Sequence, residues 1–506
     1  MREFDHVLVG AGSAGCVLAS RLTEDPSVSV LLLEAGGEDR KREIRVPAAF
    51  SRLYGSEVDW GYRTEPQPGL DGRRVYFPRG KVVGGSASIN AQIAVRGGRA
   101  DYDRWGPGWG WDDVLPYFER AAAGPFAITA LRDPSPLTEA FLAAAGESGL
   151  PRAADLNAPE PEGVALSPVN QRRGRRWSVA DGYLRPARSR SNLTVLTNAR
   201  ATRILLESGR ARGVEFAHEG GTEEARAKRD VVICSGAINS PHLLLVSGIG
   251  PRDELSAVGV EPLHDLPGVG RNLQDHPAAG LLVASTGAKT LYSAESATSL
   301  ARFLLFGRGP LTSNVAEAVG FVRTRPELGA PDLELLFAPV LFTDEGLTPP
   351  QEDGFTVAAI ALQPKSVGTV TLRSADPLDR PVIDPRYLSE AEDLRVLIHG
   401  TRLARRIVAT SPLRAYVREE LAPGPDTQSD DELAEQVRGR AQTLYHPVGS
   451  CRMGLDEAAV VDPQLRVRGL GGLRVVDASV IPRIPRGHTN WPTVMVAEKA
   501  VDLIRP

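Results

Sequence analysis

Residues 10–15 read Gly10-Ala-Gly12-Ser13-Ala14-Gly15, and Glu34 follows 19 residues after the last of these glycines. In a strand–turn–helix setting, Gly10 permits the tight turn, Gly12 lets backbone approach a pyrophosphate, and Gly15 lets the helix pack close to the strand. The helix N-terminus then offers free N–H groups and a positive dipole end to a phosphate. A carboxylate at Glu34 accepts hydrogen bonds from adenosine ribose hydroxyls and repels a 2′-phosphate, so NADP is disfavoured. The motif alone leaves FAD and NAD open. It occurs once, so no second dinucleotide domain is present to deliver NAD(P)H to a flavin. A second glycine-rich run, Arg79 to Asn90, carries Gly84, Gly85 and Ser88 and suits close backbone packing along a bulky buried ligand. Both features point to FAD.

The elements around this turn form a βαβ pattern. Residues 4–9 are an apolar run, a small-residue helical pattern covers 16–22, and Val28 to Leu33 is a second β-branched run. Asp230 to Ile233 reads as another buried strand leading to a helix near Pro241, and Leu193 to Leu196, Ala201 to Leu206 and Gly213 to Phe216 read as small strands. Residues 36–121 read as ordered loops and short helices, and 136–150 as a helix. The middle of the chain differs: 333–340, 355–362 and 368–372 look like strands of a half-exposed antiparallel sheet, followed by a long helix over 391–410. The last third holds a strand at 473–477 and a closing helix over 493–504. The fold class is therefore α/β, α+β overall: a Rossmann-like dinucleotide-binding domain interwoven with a substrate domain on an antiparallel sheet flanked by helices. We expect residues 1–160, 191–285 and 440–506 in the first domain, and 161–190 and 286–439 in the second.

Composition excludes several classes. The 506 residues are 42% hydrophobic and 24% charged with a net charge of -4, ordinary for a globular protein and unlike a nucleic-acid binder. Arginine dominates the basic residues, which reads as base composition, and the run Arg172, Arg173, Arg175, Arg176 reads as a solvated loop. Cys16, Cys234 and Cys451 are far apart and odd in number, so neither a disulfide scaffold nor a metal site is expected. No apolar run reaches spanning length and the first strand begins at once, which predicts no membrane span, no signal peptide and a cytoplasmic location. The 51 glycines and 39 prolines are spread without period, as expected where backbone packs along a ligand and the chain crosses between domains.

Several long segments, in order, resemble the glucose–methanol–choline (GMC) family of FAD-dependent oxidoreductases. They are Val7 to Gly37, Gly80 to Asn90, Ala100 to Trp105, Gly236 to Pro251, Leu266 to Pro277, His446 to Gly454, and Val476 to Thr493. Ala87 departs from the family's usual Ser, Thr or Gly, and the short stretch 121–131 predicts a trimmed lid. Some members attach flavin through a histidine near Asn90; none stands there in this chain, which predicts non-covalent FAD.

By resemblance, Glu34 would bind the adenosine ribose, and Gly84, Gly85 and Asn90 would line the flavin. Ala201 would meet the adenine, Asp477 and Ala478 the ribityl chain, and Asn490 and Thr493 the pyrimidine edge. Ala35, Arg79, Ser88 and Ser235 complete the expected cofactor set. The activity implied is oxidation of an alcohol to an aldehyde by hydride transfer to flavin N5, with O2 or another electron acceptor closing the cycle. Removing the alcohol proton drives the hydride out, and a histidine of near-neutral pKa suits that task. Of eight histidines, only His446 and His488 match the family's paired positions: His446 as base, His488 as the hydrogen-bond partner of the hydroxyl. His276, in Gln274-Asp275-His276-Pro277, and Cys451 read as packing residues. Tyr445, Trp491, Phe337, Phe342 and Trp60 suggest an apolar or aryl primary alcohol. The alternatives are a hydroxynitrile-lyase-like enzyme, a fatty-acid-photodecarboxylase-like enzyme, and a plain NAD-binding protein.

Overall fold

The computed structural model describes residues 2–294 and 296–505. Its N-terminal unit is strand β1 (Arg2–Val9), helix α1 (Ser13–Leu22) and strand β2 (Val30–Leu33). Every residue of β2 is buried, as a strand covered on both faces requires. Gly15 has no room for a side chain: a Cβ there would lie 1.9 Å from the Gly10 carbonyl oxygen.

These strands belong to a seven-stranded sheet ordered Leu193–Leu196, β2, β1, Gly221–Ile233, Arg210–His218 and Arg200–Glu207, with Leu473–Val475 also paired to Gly221–Ile233. The register aligns Val9 with Leu33 and Ile233, Leu33 with Leu196, and Ile233 with Val475. The parallel strands therefore end along one line. The residues just beyond those ends include Gly10, Glu34, Ser235 and Asp477, which is where an open α/β sheet holds its ligand. The helix after Ile233 runs Gly236–Val246 and starts five residues earlier than Pro241 suggests. Pro241 cannot donate to the Ala237 carbonyl, and the Ser450 hydroxyl donates to that oxygen instead, so the helix continues through the proline.

The second sheet is antiparallel, ordered Val417–Ala422, Pro277–Ser285, Gly354–Ala361, Leu333–Ala338, Ala318–Val322 and Gly163–Leu166, with Gln442–Thr443 paired to Pro277–Ser285. Its strand Leu333–Ala338 is not half-exposed as expected: all six of its residues are buried. One face, with Leu333, Leu335 and Phe337, packs with Leu397, Leu403 and Ile407 of the helix Ala391–Val408 and with Phe141 of Pro136–Glu147. The opposite face presents Leu336 and Ala338 towards the interior between the sheets. The segment expected as a third strand is Thr369–Thr371, which pairs with Val382–Asp384 in a separate two-stranded ribbon. Among the described residues no helix is long and apolar enough to cross a membrane.

Phe337 is fully buried and stacks on Phe141 with ring centroids 4.7 Å apart. Phe337→Ala should cost about 3–5 kcal/mol in denaturant unfolding while leaving the ligand cavity's chemistry intact.

Candidate active site

A continuous cavity runs from the line of strand ends to the inner face of the second sheet. Of the expected cofactor residues, Gly10, Gly12, Ser13, Ala14, Glu34, Ala35, Arg79, Gly85, Asn90, Ala201, Ser235, Asp477, Ala478, Asn490 and Thr493 line it, together with His446 and His488.

The strand-end region fits a dinucleotide. Helix α1 begins at Gly12 without a side-chain cap and has no acidic residue in its first turn, so its first N–H groups stay free where they meet the cavity. A Cβ on Gly12 would find nothing closer than 3.9 Å, whereas one on Gly85 would lie 2.8 Å from the Gly12 Cα. The two glycine loops thus cross with backbone alone at the place where a pyrophosphate needs backbone donors. The Glu34 carboxylate is held by the N–H groups of Ala11 and Gly36, each at 2.8 Å. Burial lifts its pKa to about 7, opposed by those two N–H groups and by Lys81. Asp477 accepts from the Gly236 N–H and from the hydroxyls of Ser240 and Ser479, which fixes the loop after the last parallel strand. Asn490 accepts from the Ser13 hydroxyl at 2.6 Å and joins the closing helix to α1.

Three expected contacts do not line the cavity: Gly15, Gly84 and Ser88. Gly15 serves helix–strand packing. Gly84 adopts φ +92° and donates its N–H to the Ala11 carbonyl, and the Ser88 hydroxyl donates to the Val83 carbonyl at 2.8 Å. These residues shape the loop that presents Gly85 and Asn90. Of the aromatic residues named above, Trp60, Phe342 and Tyr445 line the cavity, but Phe337 and Trp491 do not. Phe337 points to the helix-covered face because side chains alternate along a strand. Trp491 packs edge-on to Phe118 and stacks on Phe126. Phe50 and Tyr54, absent from the sequence reading, complete the aromatic wall.

At the other end of the cavity three histidines meet. The rings of His446 and His488 lie 4.6 Å apart at 79°. His446 Nδ1 is 3.1 Å from His276 Nδ1, and His276 Nε2 is 3.1 Å from the Leu362 carbonyl oxygen. His488 Nε2 is 3.0 Å from Glu334 Oε1. Burial, then the neighbouring His488, His276 and Arg79, hold the His446 pKa well below the usual histidine range. Burial and His488 hold His276 at about 3. Both rings are therefore neutral at physiological pH.

The backbone that carries His446 is strongly constrained. Tyr445 adopts φ +67°, rare for a residue with a side chain. Its N–H donates to the Thr443 hydroxyl, its carbonyl accepts from Arg79, and its hydroxyl donates to the Glu345 carbonyl. The His446 N–H donates to Asp275 Oδ1 at 2.7 Å. Gln92 and Val315, also on the cavity wall, share this left-handed conformation. The contacts of His276 with His446 and of Glu334 with His488 were not expected. Glu334 carried a signal, as the single charge inside a buried apolar strand.

A family model for GMC oxidoreductases matches residues 4–278 in its N-terminal part and 364–497 in its C-terminal part. An alcohol dehydrogenase [acceptor] of Pseudomonas putida is 40% identical over 526 aligned residues, covering 99% of this chain and 95% of that one. The structure of pyridoxine 4-oxidase from Mesorbium loti superposes with TM-score 0.90 at 35% identity, over 99% of this chain and 98% of that one. An FAD-dependent oxidoreductase from Chaetomium thermophilum superposes with TM-score 0.89 at 28% identity, over 99% of each chain.

A carboxyl whose pKa is raised from 4.5 to about 7 in the folded protein holds its proton better there than in the unfolded chain. Stability from this group is present at low pH and is lost as pH rises through that window. The ligand-free parent should therefore lose stability relative to Glu34→Gln as pH rises from 4.5 to about 7, read as thermal midpoints across a pH series. Equal slopes would remove the assigned environment of Glu34.

Proposed function

This chain belongs to the GMC oxidoreductase family, and on that premise we propose that it oxidises a neutral primary alcohol, apolar or aryl, to its aldehyde. The enzyme is an oxidoreductase acting on CH–OH donors, and FAD is its cofactor. When bound, FAD supplies the acceptor for the hydride leaving the alcohol carbon. The free N–H groups at the start of α1 and the Glu34 carboxylate would hold its pyrophosphate and ribose, without a covalent link to the protein.

The observation that carries the reading is the directional order of hydrogen bonds through His276. The Leu362 carbonyl can only accept, so His276 Nε2 must carry a proton. A neutral His276 then has a bare Nδ1, which can only accept. His446 Nδ1 must be the donor across the 3.1 Å contact, which leaves the lone pair of neutral His446 on Nε2. That is the form a general base needs: the alcohol proton passes to His446 Nε2, and His276 positions the ring without touching substrate. His488 commits Nε2 to Glu334, leaving Nδ1 for the substrate oxygen. His488 is thereby placed as the hydrogen-bond partner of the substrate oxygen, with Glu334 fixing its ring.

The wall chemistry supports a neutral substrate. Phe50, Tyr54, Phe342 and Tyr445 form an aromatic cluster. The only carboxylates on the described lining are Glu34 and Asp477, both bound to protein donors, so no free anion awaits a cationic alcohol. An aryl alcohol should therefore be turned over with a higher kcat/KM than choline.

Flavin absorbance that acid precipitation releases into the supernatant is the expected result for non-covalent FAD. His446→Ala should retain the flavin and slow its reduction by alcohol about 10²–10⁴-fold. Reduction at the parent rate would remove His446 as base. His276→Asn keeps an acceptor beside His446 Nδ1 and should retain more activity than His276→Leu. Equal rates in those two variants would remove the ordering role of His276. Peroxide release during turnover assigns O2 as the acceptor; reduction of a dye without peroxide assigns another carrier.

A further inference from the structure

The helix Ala297–Phe306 is apolar, yet only Phe303 among its ten residues is buried. Leu300, Leu304, Leu305 and Phe306 are 47%, 56%, 74% and 68% exposed. A surface helix of a globular protein normally turns its apolar stripe inward. Here Leu300, Leu304 and Leu305 project outward together, and no acidic residue lies between Ser296 and Gly309.

The arginine run, expected as a solvated loop, is a hairpin that meets this helix: Arg176 is buried and donates to the Asn90 side chain and the Ile44 and Ala87 carbonyls, while Arg172, Arg173 and Arg175 are exposed. The hairpin Gln171–Arg172 and Arg175–Arg176 packs against the helix C-terminus: a Cβ on Gly174 would lie 2.3 Å from the Gly307 carbonyl oxygen. Arg175 lies over the Phe303 ring at 5.4 Å and reaches the Leu304 carbonyl at 3.4 Å. Arg132 donates to the Gly307 carbonyl at 3.1 Å. Arg172, Arg173, Arg175, Arg302 and Arg308 are all exposed. Asp133, 3.2 Å from Arg308, is the acidic group paired within the cluster.

We propose that this helix and the arginine hairpin beside it dock the protein on an anionic lipid bilayer surface. Exposed leucines and a phenylalanine bury into the boundary between headgroups and acyl chains, while the arginines sit at the level of the lipid phosphates. The chemistry matches both layers of such a surface: apolar side chains at the tip and guanidinium groups, which pair with phosphate oxygens, around the rim. A second copy of the chain would bring the same positive rim against itself, which opposes pairing of like faces.

The test uses the FAD-loaded protein with sedimented vesicles of phosphatidylcholine alone or mixed with phosphatidylglycerol. The parent should sediment with the mixed vesicles, less with phosphatidylcholine alone, and less as salt rises. Leu304→Glu/Leu305→Glu/Phe306→Ser should weaken that binding at least about tenfold while keeping the flavin spectrum and dye-linked alcohol oxidation in solution. A milder variant, Arg302→Gln/Arg308→Gln, should reduce the preference for phosphatidylglycerol. Failure of the parent to sediment with mixed vesicles, or equal binding by parent and triple variant, overturns the proposal. A parent dimer that the triple variant converts to a monomer in light scattering also overturns it, by assigning the face to a second copy.

Discussion

The buried Asp275 carboxylate joins the parts of the molecule that must agree for the site to exist. It accepts from the backbone N–H of His276 at 2.9 Å and of His446 at 2.7 Å, and from the hydroxyls of Tyr387 and Thr443. One acceptor thus sets the main-chain positions of two histidines whose rings then meet. It does so where the chain returns to the second sheet, at Pro277, and where it leaves that sheet, at Gln442–Thr443. Burial pushes the Asp275 pKa up, while the Thr443, Tyr387 and His446 hydrogen bonds and the Arg79 charge pull the other way. A carboxylate in such a place is tolerated because each lone-pair direction meets a donor; with one donor removed it would be a desolvated group without compensation.

Two architectures converge on this point. The parallel sheet ends its strands in register and leaves glycine backbone, a helix N-terminus and a carboxylate along one edge. The antiparallel sheet offers its inner face, from which Glu334 meets His488 and Leu336 and Ala338 line the cavity. The chain passes between them several times, so the site is assembled from segments far apart in sequence: the Asp275 bonds alone join residues 275, 387, 443 and 446. The unusual left-handed backbone at Gln92, Val315 and Tyr445 lies on the wall of the same cavity. Such conformations persist where surrounding bonds over-determine them, as the three contacts of Tyr445 do.

The cofactor end was largely legible in the sequence because its chemistry is local. A glycine turn, a helix start and a carboxylate at the next strand end lie within 25 residues, and backbone donors need no distant partner. The boundaries erred where a distant group intervened: the Gly236–Val246 helix continues through Pro241 because Ser450 supplies the missing donor. Glycine and serine positions could be recognised without revealing which of them line the cavity and which, like Gly84 and Ser88, shape the loop behind it. Phe337 was misplaced because alternation along a strand assigns faces only relative to one another; which face meets the cavity is decided by the helices packed on the other. His276 was read as packing because nothing in its local sequence announces Leu362 on one side and His446 on the other. Glu334 shows the same limit, since its partner His488 lies 154 residues away.

The histidines of the cluster differ in where the carboxylates lie. The His446 ring contacts His276 and faces His488, and Arg79 adds a further positive influence, and each of these disfavours a positive charge on it. Asp275, although close in sequence to His276, spends its bonds on backbone N–H groups and hydroxyls and makes none to the His446 ring. Had that carboxylate bonded to the ring, it would have favoured the imidazolium and occupied the lone pair needed for a proton. The ring that does have a carboxylate is His488, through Glu334. Two imidazoles 4.6 Å apart are thereby made unequal: one is set beside a second imidazole, the other against a carboxylate. The proposed roles of base and hydrogen-bond partner rest on that asymmetry.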